Sequence, residues 1–295
     1  MEGVVKINDP KYPALLKEVK DPPEKLYYKG DWDSVLFEKC LTVVGSRRMT
    51  SYGKQIANKL VSEIAGAGIT IVSGFMYGID ATAHKAALEA GGRTIAVMPC
   101  GIEIIHPEYQ ESLYKKILAN RGLIISEYEG TFPPALWTYP RRNRIMAGLS
   151  MTTLVIEAGL KSGSLITAEL AKKFKRKLFA VPGPLTSTFS QGTLQLIKEG
   201  AEMVISAREV LQSYGLKTPE PTLSHRAGGT GSGSTRFSTL NKLEQSIIEK
   251  LQQEPMEIDA LSRSTEVSAS QMGTALSLMQ LKGVLFKEEG KYYVK

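Results

Sequence analysis

The stretch from Leu41 to Asp80, LTVVGSRRMTSYGKQIANKLVSEIAGAGITIVSGFMYGID, most constrains what this chain can fold into. Leu41–Val44 is a short apolar, β-branched run of the kind a strand buried on both faces requires. Gly45, Ser46 and Arg47 follow at once. Thr50 and Ser51 offer an N-cap pair for a helix in which Ile56, Leu60, Val61 and Ile64 recur at helical spacing. Gly66 and Gly68 close that helix, and Ile69–Val72 reads as a second strand followed by Ser73 and Gly74. Strand, glycine-bearing loop and helix in this order make a βαβ unit. In parallel sheets, ligands collect at the carboxyl ends of the strands, where helix N-termini present free N–H groups to anions. Gly45, Ser46 and Arg47 place a small residue, a hydroxyl and a cation at such an end, and Ser73 and Gly74 stand at the next one. The competing reading is a plain strand-to-helix turn that needs glycine for its backbone, and the local pattern leaves both open.

The same alternation continues. Strands are expected at 94–98, 123–126, 152–156, 177–181 and 203–205. Helices are expected at 79–90, 108–120, 141–149, 164–174, 194–198 and 207–214. This predicts an α/β fold with a doubly wound, mostly parallel sheet over residues 41–217. Residues 1–40, rich in proline, read as an N-terminal extension packed on that domain. Residues 218–238 are dominated by Pro, Gly, Ser and Thr and read as a flexible linker. Residues 239–295 show three amphipathic helices and then a hairpin around Gly290, the order of a small winged-helix domain.

Charge narrows the partners. The net charge is +7, and residues 1–225 hold 28 Lys/Arg against 22 Asp/Glu, whereas residues 238–295 hold 7 against 8. The basic excess belongs to the large domain and suits a polyanion. The small domain is therefore expected to be an accessory rather than the main anion-binding part. No apolar run is long enough to span a membrane, and the first residues lack a cationic-then-apolar leader, so a cytoplasmic protein is expected. Cys40 and Cys100 sit beside apolar strands and read as inert core thiols, and three unclustered histidines argue against zinc. There is neither a GxGxxG nor a GxxxxGK[ST] motif, and no cofactor is expected.

Four further groups carry candidate chemistry. Arg141, Arg142, Asn143 and Arg144 bring three guanidinium groups and an amide together after an aromatic loop, residues 131–139. Guanidinium forks match phosphates, aromatic rings stack on unpaired bases, and cations at a helix N-terminus oppose the macrodipole unless an anion is near. Lys161, Ser162, Gly163 and Ser164 form a third strand-end loop suited to phosphate, or else a simple N-cap with a turn glycine. The run Lys172, Lys173, Lys175, Arg176, Lys177 reads first as a solvated helix end. Asp80 and His84, at i and i+4, form either an acid–base pair or a local hydrogen bond. The balance favours binding over bond-making.

The motifs VVGSRRMTSYG (43–53), VSGFMYGIDATAH (72–84), PRRNRIMAGLS (140–150), LVIEAGLKSGSLITAELA (154–171) and FAVPGP (179–184) are those of a known family. With TIAVMPCGIEIIHP (94–107), LIISEY (123–128) and GTLQLIKEGA (192–201) they cover most of residues 40–210. The chain resembles the DNA-processing protein A (DprA, or Smf) family of bacterial single-strand DNA-binding proteins. The resemblance implies an extended Rossmann-like fold followed by a winged helix, single-stranded DNA in a basic strand-end groove, and a homodimer formed through the Rossmann-like domain. It also implies delivery of incoming DNA to the RecA recombinase in natural transformation, without catalysis. By motif, Gly45, Ser46 and Arg47 hold phosphate, and Arg141, Asn143 and Arg144 line the groove beside Ser162, Gly163 and Ser164. One departure is SGFMYGID where many members have SGLAxGID, so Phe75, Met76 and Tyr77 either stack at the groove or pack. Two other readings compete. One is a nucleotide-hydrolysing enzyme of the same broad superfamily, although SGSLITAE (162–169) lacks the second glycine of the PGGxGTxxE motif of those enzymes. The other is a duplex-reading winged helix, although residues 268–281 contain no Lys or Arg.

Overall fold

The structure is a computed structural model that describes residues 2–216, 242–281, 284–288 and 290–294. Its contacts divide the chain into two units, Met1–Glu220 and Pro221–Lys295. The stretch read as a linker lies outside the described residues.

The first unit runs β1 (Glu2–Lys6), α1 (Ala14–Lys17), β2 (Lys25–Gly30), β3 (Cys40–Val44), α2 (Ser51–Gly66), β4 (Thr70–Ser73), α3 (Ile79–Glu89), β5 (Thr94–Met98), α4 (Glu111–Ala119) and β6 (Leu123–Ser126). It continues with α5 (Thr138–Leu149), β7 (Thr152–Val155), α6 (Ser164–Lys173), β8 (Lys177–Ala180), α7 (Gln191–Lys198), β9 (Glu202–Met203) and α8 (Ala207–Ser213). Among the described residues, these nine strands form one sheet in the order β1-β2-β6-β5-β4-β3-β7-β8-β9. From β6 to β9 every pairing is parallel.

Strand alternation sorts the core onto the two faces of the sheet. Leu41 and Val43 of β3 pack with Leu60, Val61 and Ile64 of α2 and Val210 of α8. Cys40 and Val44, one register step away, pack with Ile145, Met146 and Leu149 of α5. Thr42 shares the α5 side, where its hydroxyl donates to the Met146 carbonyl at 2.7 Å and lies 2.8 Å from the Ser150 hydroxyl. Both cysteines are buried, and burial raises the Cys40 thiol to about 12 and the Cys100 thiol to about 11, which leaves them as inert core groups.

The N-terminal residues, expected as an extension packed on the main domain, add strands to its sheet. β1 and β2 form a hairpin, and β2 pairs antiparallel with β6, Tyr28 facing Ile125, so the segment continues the sheet. Proline-rich flanks hid a strand whose apolar member, Leu26, is fully buried. Leu16 and Val19 then close over α5, where Gly148 leaves room that a Cβ would fill, 2.6 Å from Leu16 Cδ1.

The second unit contains α9 (Lys242–Gln253), β10 (Met256–Glu257), α10 (Ile258–Thr265), α11 (Ala269–Leu281), β11 (Leu285–Glu288) and β12 (Lys291–Val294), with sheet order β10-β12-β11. Ile247, Leu251, Leu261, Met272, Leu276 and Tyr292 share its own core. This is a winged helix, with the added strand β10 before its second helix.

Trp32 and Trp137 are the two tryptophans of the chain, and both lie in the first unit, so their fluorescence follows that unit alone. Leu26→Ala should lower its stability against denaturant by about 2–5 kcal/mol, the cost of a large-to-small change in a core. A loss below about 0.5 kcal/mol would mean that β2 is not part of the cooperative fold.

Candidate functional site

The sheet order contains one reversal. After β3 the chain builds outward through β4, β5 and β6, and after β7 it returns to the other side of β3 and builds through β8 and β9. The loops leaving β3 and β7 therefore diverge, and a crevice opens between them at the strands' carboxyl ends, where open α/β sheets bind ligands. A cavity of about 880 Å³ occupies this place. Of the residues expected at the site, Gly45, Ser46, Arg47, Arg142, Asn143, Lys161, Ser162, Gly163 and Ser164 line it, and Ser73, Gly74, Arg141 and Arg144 do not.

The loop after β3 is clamped. A Cβ on Gly45 would meet Ile79 Cγ1 at 2.6 Å and the Glu157 carbonyl at 3.0 Å, so close packing demands glycine. Ser46 N–H donates to the Glu157 carbonyl at 2.6 Å, and the Ser46 hydroxyl accepts from Arg48 N–H at 3.1 Å. The Glu157 carboxylate, buried at the end of β7, accepts from Thr50 N–H at 2.9 Å and the Thr50 hydroxyl at 2.6 Å. Thr50 in turn caps α2 by accepting from Gly53 N–H at 3.1 Å. Sequence reasoning missed Glu157 as a positioning residue, and its signal was a carboxylate ending an apolar strand.

This clamp leaves Arg47 and Arg48 exposed. Among the described residues neither makes an ion pair, nor does Lys161. The Arg47 guanidinium lies 5.1 Å from the centre of the Tyr139 ring, whose hydroxyl is 2.8 Å from His106 Nε2. Burial, with Arg47 and Arg142 nearby, holds the His106 imidazole below its ordinary value, which adds no competing charge at neutral pH. A ring face holds Arg47 in place without neutralising it.

The arginines of α5 fan out, because successive helical residues turn by roughly 100°. Arg142 is buried, and its Nη1 donates to the carbonyls of Gly74 at 2.5 Å and Val97 at 2.7 Å. Gly74 is glycine because a Cβ would lie 2.2 Å from that nitrogen. Burial lowers the Arg142 guanidinium to about 10, which keeps it charged at neutral pH, and burial also raises the carboxyl of Asp80, against the pull of Arg142. Arg144 turns away from the cavity to Glu127, at 2.5 Å, with Asp21 at 3.4 Å, and Arg141 pairs with the same Glu127 at 3.2 Å. Arg141 and Arg144, expected to line the groove, do not line this cavity, and the anion beside these cations is the protein's own Glu127. The helix also begins at Thr138, so the arginines lie beyond its first free N–H groups. Ser73 is likewise internal, its hydroxyl donating to the Val43 carbonyl at 2.7 Å.

The loop after β7 meets the cavity directly. Asn143 Nδ2 reaches the Gly163 carbonyl at 3.5 Å, and the hydroxyls of Ser162 and Ser164 are 2.7 Å apart. The Ser162 hydroxyl also accepts from Ser164 N–H at 3.4 Å where α6 begins, and Thr167 brings a buried hydroxyl without a protein partner to the cavity wall. Of the basic run, Lys172, Arg176 and Lys177 are tied up in ion pairs with Glu199, Glu18 and Glu202. Asp80 and His84 do not meet as an acid–base pair: His84 Nδ1 is 2.7 Å from the Thr94 hydroxyl, and burial lowers its imidazole to about 3. Phe75 is fully buried and packs, while Tyr77 stays exposed.

Two outcomes follow from these contacts. Arg144→Ala should cost about 2–3 kcal/mol of stability, since it strips a near-buried carboxylate of a charged partner. Unchanged denaturation would free Arg144 for another role. His84, lowered from 6.5 to about 3 by folding, should stay neutral in an NMR titration down to about pH 5, and its contribution to stability should fall as pH drops from the unfolded towards the folded value. Titration near its ordinary value would show that it is not enclosed.

Comparison with known proteins agrees with this architecture. The family model for DNA recombination-mediator protein A matches residues 3–215, and that for the DprA winged helix domain matches residues 237–291. Protein Smf of Synechocystis is 34% identical over 97% of this chain and 78% of its own, and the DNA processing protein DprA of Bacillus subtilis is 39% identical over 71% and 70%. Among solved structures, DNA processing protein A of Streptococcus pneumoniae superposes with a TM-score of 0.69 at 38% identity, covering 74% of this chain and 75% of that one. The protein of Helicobacter pylori, whose structure is described as showing a single-stranded DNA binding mode, superposes with a TM-score of 0.65 at 34% identity, covering 72% and 95%. The chain belongs to the DNA recombination-mediator protein A family.

Proposed function

We propose that this chain binds single-stranded DNA in the cavity at the β3–β7 divergence and serves as a recombination mediator that performs no bond-making chemistry. The observation that carries the reading is Arg47: an exposed guanidinium over the Tyr139 ring that makes no ion pair among the described residues, at the sheet's switch point. Lys161 and the hydroxyls of Ser162 and Ser164 at the start of α6 face the same space, so a phosphate there meets two cations and two hydroxyl groups. Tyr139 and Leu136 on the cavity wall offer flat and apolar surface to bases that only an unpaired strand can splay out. Asp80 and His84 point to different partners, which supports binding over catalysis. Family membership and the single-stranded DNA described for the H. pylori relative support the substrate class. Transfer of the bound strand to the RecA recombinase, and pairing of two copies through the Rossmann-like unit, complete the reading. Helix α11, ASQMGTALSLMQL, has no Lys or Arg, which favours the cavity over the winged helix as the main DNA contact.

Affinity for oligothymidylate should fall steeply with salt, by a slope of about 0.7 per phosphate neutralised. Arg47→Ala and Lys161→Ala should each weaken binding by about 1–3 kcal/mol and lower that slope by about 0.7, with stability unchanged. Equal affinity for duplex and single strands, or a flat salt dependence, would defeat the proposal.

A further inference from the structure

Tyr77 and Tyr109 stack face to face on the surface, with ring centroids 5.0 Å apart and planes 3° from parallel. They are 42% and 64% exposed, so the stack is not a core contact. Its geometry is nevertheless held from below. Phe75, two residues before Tyr77, is fully buried in a left-handed backbone conformation, with φ of 58°. Gln110, next to Tyr109, is buried and donates from Nε2 to the Phe75 carbonyl at 2.8 Å. That bond ties the segment carrying one tyrosine to the segment carrying the other. Gly78 follows with φ of 68°, where a Cβ would lie 2.2 Å from the Ser46 carbonyl, and Ile79 N–H donates to that carbonyl at 3.1 Å. The tyrosine pair is thus fastened to the loop that carries Arg47.

The two tyrosines edge a second hollow of about 450 Å³, whose wall includes Met49, Gly78, Lys85, Glu89 and Lys116. The loop that lines the main cavity with Arg47 and Arg48 reaches this hollow through Met49, so one short loop separates the two. Lys85 and Lys116 are exposed, and among the described residues neither makes an ion pair. Glu89 is the acid on this wall. Flat rings with cations around them suit an unpaired base and its flanking phosphates, a sequence-tolerant form of recognition. An exposed stack held rigid needs no ordering when it takes a further ring.

We propose that Tyr77 and Tyr109 form a second stacking subsite for single-stranded DNA, continuing the strand from the β3–β7 cavity over the Arg47–Met49 loop, with Lys85 and Lys116 holding the phosphates beside it. The inference rests on the proposed DNA reading of that cavity. To test it, the full chain, the Tyr77→Ala/Tyr109→Ala double variant and Arg47→Ala are titrated with oligothymidylates of about five and about twenty nucleotides. The double variant should lose roughly tenfold in affinity for the long strand and keep its affinity for the short one, and Tyr77→Phe/Tyr109→Phe should restore the long-strand value. Arg47→Ala should weaken both. If the double variant binds both strands normally while Arg47→Ala still weakens both, the subsite is wrong and the cavity reading stands. Should the double variant lose both strands equally, the tyrosines support the cavity and do not extend it. Failure of Arg47→Ala to weaken either strand would remove the cavity reading and this inference with it.

Discussion

The cavity depends on one clasp across the point where the chain changes direction. Glu157, at the end of β7, accepts from Ser46 through its carbonyl and from Thr50 through its carboxylate. Strands β3 and β7 pair along their length, and the loops beyond them would otherwise part freely. A buried carboxylate is costly unless its oxygens are satisfied, and here a backbone N–H and a hydroxyl satisfy it while fixing the start of α2. Glycine at 45, 53 and 78 follows from the same crowding, because a Cβ at each would strike Ile79, the Glu157 carboxylate or the Ser46 carbonyl. The loop so fastened presents two arginines outward.

Cations in this unit fall into two electrostatic classes. Arg142 and Arg144 are buried and spent on internal acceptors, the first on two carbonyls at the ends of β4 and β5, the second on Glu127. Removing such a group leaves acceptors unpaired in a medium that cannot solvate them. Arg47, Arg48 and Lys161 are exposed and make no ion pair among the described residues, so their charge remains available to a ligand. A dense basic motif therefore serves the fold more than the surface, whereas the sparser cations on the strand-end loops carry the binding potential.

Much of this was legible in the chain itself. Two-sided burial makes parallel strands continuous apolar runs, so β3, β5, β6, β7 and β8 could be read to within a residue. Family motifs located the cavity loops for the same reason that they are motifs: glycine and small polar residues are required at tight strand ends. What the sequence hid depends on distant partners. Nothing near Arg144 announces Glu127, 17 residues away, and nothing near Gly74 announces Arg142, 68 residues away. Pro22 and Pro23, just before β2, masked a strand that lies inside the sheet, between β1 and β6. The outward turn of Tyr77 depends on the burial of Phe75 beside it, a choice that alternation of residue types does not reveal.

The most direct test is a structure of the full chain with a bound oligothymidylate. The account predicts a phosphate within hydrogen-bonding distance of the Arg47 guanidinium, between the β3 and β7 loops, with Arg144 still paired to Glu127. A strand lying instead along the hollow beside Arg144 and Lys173, or on the winged helix, with the β3–β7 cavity free of nucleotide, would contradict it.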